Sequence, residues 1–239
     1  MTLWERADEL GGRLGVAGTG LGREDLHAMR DWLIDAARRA GAALLTGVEA
    51  SLERVAAVDA DRIVLACGAD YSADRALEGA IDVESALMAP AASWSGKRVA
   101  VLDEAGSWAS LSAAETLAAR GARVDLITAS SSPLWSVTIY SRMTALERLA
   151  KAGVRMRSGL RLVEAEGSSL RFSEAGTGET QNLGSFDRIV HSVVGRAATG
   201  FQDALEQAGL PVRAIGDAVA PRNLFDAMHD AHALIRGFD

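Results

Sequence analysis

Two acidic residues stand where a bound nucleotide would need hydrogen-bond acceptors. Glu5 ends the short apolar segment 2–4, which predicts a strand. An acid after the second strand of a dinucleotide-binding fold accepts hydrogen bonds from the adenosine ribose. Asp217 follows Gly216 at the end of another predicted strand, 212–215. A carboxylate there can accept a bond from a polyol hydroxyl, and a following helix N-terminus would favour a phosphate. The ordinary alternatives are a surface glutamate at Glu5 and a helix N-cap at Asp217.

The glycine-rich turn that binds the pyrophosphate in such a fold is not found ahead of Glu5. That turn lies about 20 residues before the ribose-binding acid, whereas only four residues precede Glu5. Gly11 and Gly12 would let the backbone approach a ligand closely, and the alternative is a flexible loop. The glycines of segment 18–22 are discounted because no strand precedes them. We therefore expect the first strand, its glycine-rich turn and the pyrophosphate-binding helix to come from another chain.

A strand–helix–strand series at 98–128 offers a second place for a dinucleotide. Such a series implies parallel pairing with a right-handed crossover. Of the three glycines expected after its first strand only Gly106 remains. Asp103 and Glu104 occupy the place where a pyrophosphate would need room and positive potential, so we predict no tight NADH or NADPH binding. Three hydroxyls keep the alternative open, those of Ser107, Ser110 and Ser112.

Composition bounds the remaining classes of function. The 239 residues carry a formal net charge of −7. Binding to nucleic-acid phosphates requires clustered Lys and Arg, so we expect no nucleic-acid partner. No apolar run reaches the roughly 20 residues that span a bilayer. The single cysteine, Cys67, cannot form an internal disulfide or hold an iron–sulfur cluster, and a cytoplasmic location is expected. His229 and His232 have a spacing that could suit a metal, but we expect a solvated helix face.

Strand and helix patterns alternate along the chain and predict an α/β fold. The further predicted helices are 24–40, 141–152 and one after 217 with Pro221 near its first turn; the further strands are 62–66, 160–166, 169–173 and 188–194. Segment 174–185 is expected to be a surface hairpin or loop. In helix 141–152, Met143, Leu146 and Leu149 are expected to face inward. The pattern predicts one domain split in sequence, 1–94 and 185–239, with 95–184 inserted into it.

Several segments, taken in order, resemble one known family. They are Leu3-Trp-Glu-Arg-Ala-Asp-Glu-Leu-Gly-Gly-Arg-Leu14, Gly22-Arg-Glu, Ile63-Val-Leu-Ala-Cys-Gly-Ala69, Ala113-Ala-Glu-Thr-Leu-Ala-Ala-Arg-Gly121 and Ile215-Gly-Asp-Ala-Val-Ala-Pro-Arg222. The ordered set is similar to the FAD-type region of trimethylamine dehydrogenase, 2,4-dienoyl-CoA reductase and their old yellow enzyme-like relatives. The similarity covers nearly the whole chain. Cys67 departs from the threonine that the family often has there.

The resemblance implies a fold and a set of cofactor contacts. The fold implied is a split FAD-type, glutathione-reductase-like three-layer α/β domain with an inserted Rossmann-like, NAD-binding-like domain. Glu5 would lie at the adenosine ribose, and the backbone of Ala50 at the adenine. Gly216 and Asp217 would lie at the ribityl and phosphate portion of FAD, or the site would hold ADP. The resemblance places further contacts along the cofactor at Gly12, Arg13, Leu14, Ala66 and Gly68.

The resemblance also implies a function shared between chains. In the family one long chain carries a barrel with FMN and a four-cysteine iron–sulfur site before this region, so FMN and the cluster are expected only in a partner chain. We expect a subunit of a flavin-dependent oxidoreductase, not catalytic alone, whose complex acts on a small amine or N-methylated compound. The degraded second glycine turn resembles the amine dehydrogenase branch. The alternatives are a structural subunit with a vestigial nucleotide site and an NAD(P)H-dependent reductase domain.

Overall fold

Short strands alternate with helices throughout the computed structural model, which describes residues 1–73 and 77–237. The strands are β1 (Thr2–Trp4), β2 (Ala43–Leu45), β3 (Ile63–Leu65), β4 (Ala69–Asp70), β5 (Ile81–Asp82), β6 (Arg98–Asp103), β7 (Arg123–Ile127), β8 (Arg155–Arg157), β9 (Leu160–Glu166), β10 (Ser169–Glu174), β11 (Thr180–Ser185), β12 (Arg188–Ser192), β13 (Arg196–Ala197) and β14 (Val212–Ala214). The α-helices are α1 (Gly12–Ala17), α2 (Asp25–Arg39), α3 (Leu52–Ala56), α4 (Val83–Met88), α5 (Trp108–Ala119), α6 (Ile139–Lys151), α7 (Gly200–Gln207) and α8 (Leu224–Arg236). The mixed α/β class agrees with the prediction.

These elements form two compact units, each assembled from separate stretches of chain. The first unit comprises the described residues of Met1–Leu10, Ala37–Tyr71 and Val194–Asp239, and the second those of Gly11–Ala36 and Ser72–Val193. The predicted domain boundaries at 94/95 and 184/185 differ from this division. The physical reason is that β12, expected in the split domain 1–94 and 185–239, is hydrogen-bonded to β6 in the sheet of the second unit.

The second unit is built around a five-stranded parallel sheet with the order β5-β12-β6-β7-β8. Strands covered on both faces read as continuous apolar runs, and β6 contains such a run. Val101 on β6 pairs with Leu126 on one side and Val190 on the other, and all three are fully buried. Helix α5 packs on the sheet through Leu111 and Leu117, which belong to the same core cluster. The sheet and α5 therefore confirm the predicted strand–helix–strand series.

An antiparallel sheet of three strands, β11-β10-β9, also belongs to the second unit. Leu170 and Phe172 of β10 alternate with polar neighbours and are buried, as expected for a strand with one covered face. The predicted strands 160–166 and 169–173 are confirmed. Segment 174–185, expected as a surface hairpin or loop, contributes β11 as the third strand.

The first unit contains three pairs of strands. β1 pairs with β2 and β14 with β3, both in parallel, and β13 pairs with β4 in antiparallel. Its core cluster joins Val55 of α3, Leu65 of β3, Leu205 of α7 and Val212 of β14, with Trp4 of β1 packed against it. The pairs β1–β2 and β3–β14 therefore share one apolar core.

Two details of the helices bear on the sequence predictions. Met143 of α6, expected to face inward, is exposed, and Ala145 and Leu149 are the fully buried residues of that helix. Helix α8 begins at Leu224 with the side chain of Asn223 as its cap. Pro221 lies two residues before that cap, near the first turn of α8 as expected.

Candidate functional site

The predicted residues of the first unit follow the carboxyl ends of its strands. Glu5 follows β1, Ala66 and Gly68 follow β3, and Gly216 with Asp217 follows β14. Strands β3 and β14 are neighbours in one parallel sheet, so the two turns that follow them lie side by side. In open α/β sheets, ligands bind outside the carboxyl ends of the strands. This part of the unit is therefore the candidate nucleotide site.

Asp217 already accepts hydrogen bonds from its own chain. The hydroxyl of Tyr71 donates to Oδ2 at 2.7 Å, and the backbone N–H of Arg222 donates to Oδ1 at 3.0 Å. An ionised carboxylate has about four acceptor positions. The intrachain bonds of Asp217 fix the orientation of the carboxylate, and its contact with a ligand hydroxyl remains a prediction.

The turn at Gly216 differs from its predicted form. A single 3₁₀ turn, Gly216–Ala218, follows β14, and α8 starts several residues later, so the helix N-terminus expected beside Asp217 is not there. The N–H of Gly216 donates to Oδ2 of Asp230 at 3.2 Å, and Asp230 also pairs with Arg222. The φ of Gly216 is +60°, and a Cβ there would lie 3.3 Å from that of Ala227. The turn needs a glycine for its conformation and its packing.

The loops after β1 and β2 hold Glu5 in place. Its Oε1 accepts the N–H of Ala7 at 2.8 Å, and its carbonyl accepts the N–H of Val48 at 2.9 Å. The N–H of Gly47 in turn donates to the carbonyl of Ala7 at 2.9 Å. The structure thus brings the segment leading to Ala50, which is exposed, alongside Glu5.

The remaining predicted residues, Gly12, Arg13 and Leu14, belong to the second unit and form the first turn of α1. The segment is therefore helical and not the flexible loop that its glycines also allowed. Arg13 makes an ion pair with Glu84 of α4. A structural partner thus exists for Arg13, and its contact with a cofactor remains a prediction.

The acidic pair after β6 has a different environment from the expected one. Asp103 is 2% exposed and accepts hydrogen bonds from Gly106, Ser110 and Leu134. Burial raises the pKa of its carboxyl, while hydrogen bonds led by that of Ser110 oppose the rise. Oε2 of Glu104 lies 3.1 Å from Nε2 of His191. His191, expected in a core or an interface, lies in β12 and is mostly buried.

Two of the three candidate hydroxyls after β6, those of Ser107 and Ser110, have structural roles. Ser107 caps α5 by accepting the N–H of Ala109 at 3.2 Å, and Ser110 donates to Asp103 at 2.5 Å. The N–H of Leu21 donates to the hydroxyl of Thr116 at 3.0 Å. The glycine segment 18–22, discounted as a phosphate loop, therefore packs against α5. The sequence signal for this contact was the run of polar residues on an otherwise apolar helix.

A cavity of about 590 Å³ lies beside that segment in the second unit. Arg23, Trp108, Glu115 and Arg148 line it, together with small side chains. The guanidinium of Arg23 lies 5.0 Å from the centroid of the Trp108 ring, and burial lowers the pKa of Arg23. Arg148 and Arg23 both pair with Glu115, at 2.7 and 3.7 Å. None of the predicted cofactor residues lines this cavity.

Residues 1–73 and 77–237 contain neither a metal-binding cluster nor a membrane-spanning helix. No group of three or more His, Cys, Asp or Glu side chains is arranged to hold a metal ion. None of the helices there combines the length and the apolar character needed to cross a membrane.

Comparison with known proteins relates the chain to curated oxidoreductases, although no family model matches it. It is 28% identical over 237 residues to an NADH oxidase of Thermoanaerobacter brockii, covering 95% of this chain and 35% of that protein. It is 25% identical over 285 residues to an N,N-dimethylglycine/sarcosine dehydrogenase of Chromohalobacter salexigens, covering 100% and 40%. A probable N-methylproline demethylase of Rhizobium meliloti is 26% identical over 270 residues, covering 98% and 39%. The chain thus spans 35–40% of the length of these relatives.

Solved structures define the fold. Histamine dehydrogenase from Rhizobium sp. 4-9 superposes with a TM-score of 0.85 at 22% identity, covering 100% of this chain and 40% of that one. Thioredoxin reductase of T. acidophilum gives 0.66 at 15% identity, covering 96% and 86%. The fold is therefore the α/β fold of the FAD- and NAD-binding oxidoreductases, as the sequence resemblance predicted.

Proposed function

We propose that this chain is the nucleotide-binding part of a flavin-dependent oxidoreductase, in which it completes an FAD or ADP site. Glu5 binds the ribose, and Gly216 with Asp217 binds the polyol or phosphate portion of the nucleotide. A glycine-rich strand–turn–helix from another polypeptide supplies the pyrophosphate contacts, so the cofactor lies at a subunit interface. FMN and an iron–sulfur cluster belong to the same partner.

The observation that carries this proposal is the interrupted sheet of the first unit. In the dinucleotide-binding order 3-2-1-4-5, β2 and β1 correspond to strands 3 and 2, and β3 and β14 to strands 4 and 5. Among the described residues β1 pairs only with β2, and β3 only with β14. One parallel strand between β1 and β3 would join both pairs into one sheet. That strand is strand 1, which carries the glycine-rich turn.

The exposure of the two strands supports the same conclusion. Leu3 of β1 is 40% exposed and Val64 of β3 is 41% exposed. Parallel sheets occur almost always with both faces covered, and unpaired strand edges promote association with another chain. A further strand and helix packed here would cover both residues.

The names of two of the three curated relatives support the class of substrate. A dimethylglycine/sarcosine dehydrogenase and a probable N-methylproline demethylase are among them. The superposed histamine dehydrogenase is named for another small amine. We therefore propose that the complete enzyme oxidises a small amine or N-methylated compound.

The test is the nucleotide content of the intact protein purified with its partners. We expect one FAD or ADP per copy of this chain, identified by absorbance and by mass spectrometry of the released nucleotide. A denaturing gel should show the glycine-rich unit on a separate polypeptide.

Glu5→Gln should reduce the nucleotide content. Glu9→Gln is the matched control, since Glu9 is an exposed acid of the same loop. Intact protein without nucleotide would favour a structural subunit with a vestigial site, and equal losses in the two variants would remove Glu5 from the site.

A further inference from the structure

A loop of the second unit is hydrogen-bonded to the turn that begins at the last residue of β6. We call residues 132–136 the latch loop and residues 103–107 the acidic turn. The N–H of Leu134 donates to Oδ2 of Asp103 at 2.9 Å. The N–H and the hydroxyl of Ser136 donate to the carbonyl of Gly106 at 2.9 and 2.7 Å. These bonds join two segments that are about thirty residues apart in the chain.

The latch loop holds a backbone conformation that side chains disfavour. Leu134 has a φ of +56°, and it is the one non-glycine residue with a positive φ in the described part of the chain. A left-handed conformation at a branched residue persists only where the surroundings impose it. Leu134 is fully buried, so its side-chain packing and its bond to Asp103 supply that constraint.

The carboxylate of Asp103 takes the position of an anion at the start of α5. Its Oδ1 accepts the N–H of Gly106 at 2.8 Å and the hydroxyl of Ser110 at 2.5 Å, while its Oδ2 accepts the N–H of Leu134. Backbone N–H groups at a helix start are the donors that bind a pyrophosphate in a dinucleotide-binding unit. Here the chain's own carboxylate accepts the N–H of Gly106, in the turn that leads into α5.

The indole of Trp135 covers the one glycine that remains in this turn. A Cβ placed on Gly106 would lie 2.3–2.6 Å from three atoms of the ring. A dinucleotide needs a bare glycine backbone at this place in order to approach the turn closely. The ring occupies that space and is itself 48% exposed, so it lies at the surface of the turn.

We propose that Asp103 and Trp135 determine cofactor specificity by closing this strand–helix–strand unit to nicotinamide nucleotides. Asp103 replaces the pyrophosphate, and Trp135 fills the approach to Gly106. The complete enzyme then takes its electrons from its organic substrate and not from NADH or NADPH. This inference concerns a different unit from the FAD or ADP site, so either can fail without the other.

The first test is calorimetric titration with NADH and with ADP-ribose of the intact protein whose FAD or ADP site is already saturated. The wild type should show no saturable binding up to about 1 mM. The double variant Asp103→Gly/Trp135→Ala should gain affinity for both by about tenfold or more. Trp108→Ala is the control, since Trp108 is similarly exposed and contacts Arg23 instead of Gly106. Micromolar NADH binding by the wild type, or a folded double variant that gains none, would overturn the proposal.

A second test keeps the proposal open to refutation if the double variant does not fold. Hydrogen exchange at the amides of Leu134 and Gly106 should become at least about tenfold faster in Asp103→Asn. The control is Asp125→Asn, which changes an equally buried carboxylate of the neighbouring strand β7. Unchanged exchange at both amides in Asp103→Asn would show that Asp103 does not hold the latch loop.

Discussion

Replacing Asp217 by alanine should weaken nucleotide binding. The loss of affinity should be larger than the loss of its intrachain hydrogen bonds alone would cause. The carboxylate serves Tyr71 and the backbone of Arg222 and, in the proposed site, a ligand hydroxyl as well. A hydrogen bond to a charged group contributes about 1.5–3 kcal/mol. At about 1.4 kcal/mol for each factor of ten, affinity for FAD or ADP should fall about ten- to a hundredfold.

The same substitution also removes two bonds within the first unit. Both are partly exposed, so their combined contribution to folding is about 1–3 kcal/mol. Tyr71→Phe separates the two effects, because it removes the 2.7 Å bond from the tyrosine and leaves the carboxylate in place. It should lower the free energy of unfolding by about 1 kcal/mol and change nucleotide affinity little.

The assay is equilibrium dialysis of FAD and ADP against the intact protein, paired with urea unfolding of each variant. The reasoning is refuted if Tyr71→Phe and Asp217→Ala lose affinity equally, because Asp217 would then act only by holding the turn. Unchanged affinity in Asp217→Ala, with stability lowered as expected, would remove Asp217 from the site.

Three other outcomes follow from the structure. The chain expressed alone should be oligomeric or poorly soluble, because Leu3 and Val64 are exposed on strands that have a partner on one side only among the described residues; light scattering that finds a monodisperse monomer would contradict this. The wild type should gain stability relative to Asp103→Asn as the pH falls from 7 towards 4, because a carboxyl whose pKa is raised binds its proton more tightly when folded; a difference that is independent of pH in urea unfolding would be the contrary result. Arg13→Met and Glu84→Gln should each lower the free energy of unfolding by no more than about 1 kcal/mol, since the ion pair between them is partly exposed; a larger loss in urea unfolding would give this pair a greater structural role.

Much of the fold was predictable because it is encoded locally. The run 98–102 contains enough consecutive apolar residues to identify β6, and Leu26, Met29 and Leu33 recur at the spacing that identified α2. Strands of two residues, such as β4 and β13, carry no such signal, since two residues show no periodicity. Helix α1 was obscured by Gly12 at its first position, where a low helix propensity favours a loop.

The chemistry of the acidic turn could not be derived from its sequence. Asp103 was expected to occupy a place where a pyrophosphate would need room and positive potential, but its burial was not expected. Its partner Leu134 lies 31 residues further along the chain, and tertiary contacts of that kind leave no pattern in a local window. Glycine loss in the turn was visible in the sequence, but the loop that fills the resulting space was not.

The most direct test of the central claim is an experimental structure of the intact protein with its cofactor. The account predicts a parallel strand from another polypeptide between β1 and β3, with its glycine-rich turn on the pyrophosphate and with Glu5 and Asp217 on the nucleotide. An empty site at these residues, with a complete flavin site elsewhere in the partner, would contradict it.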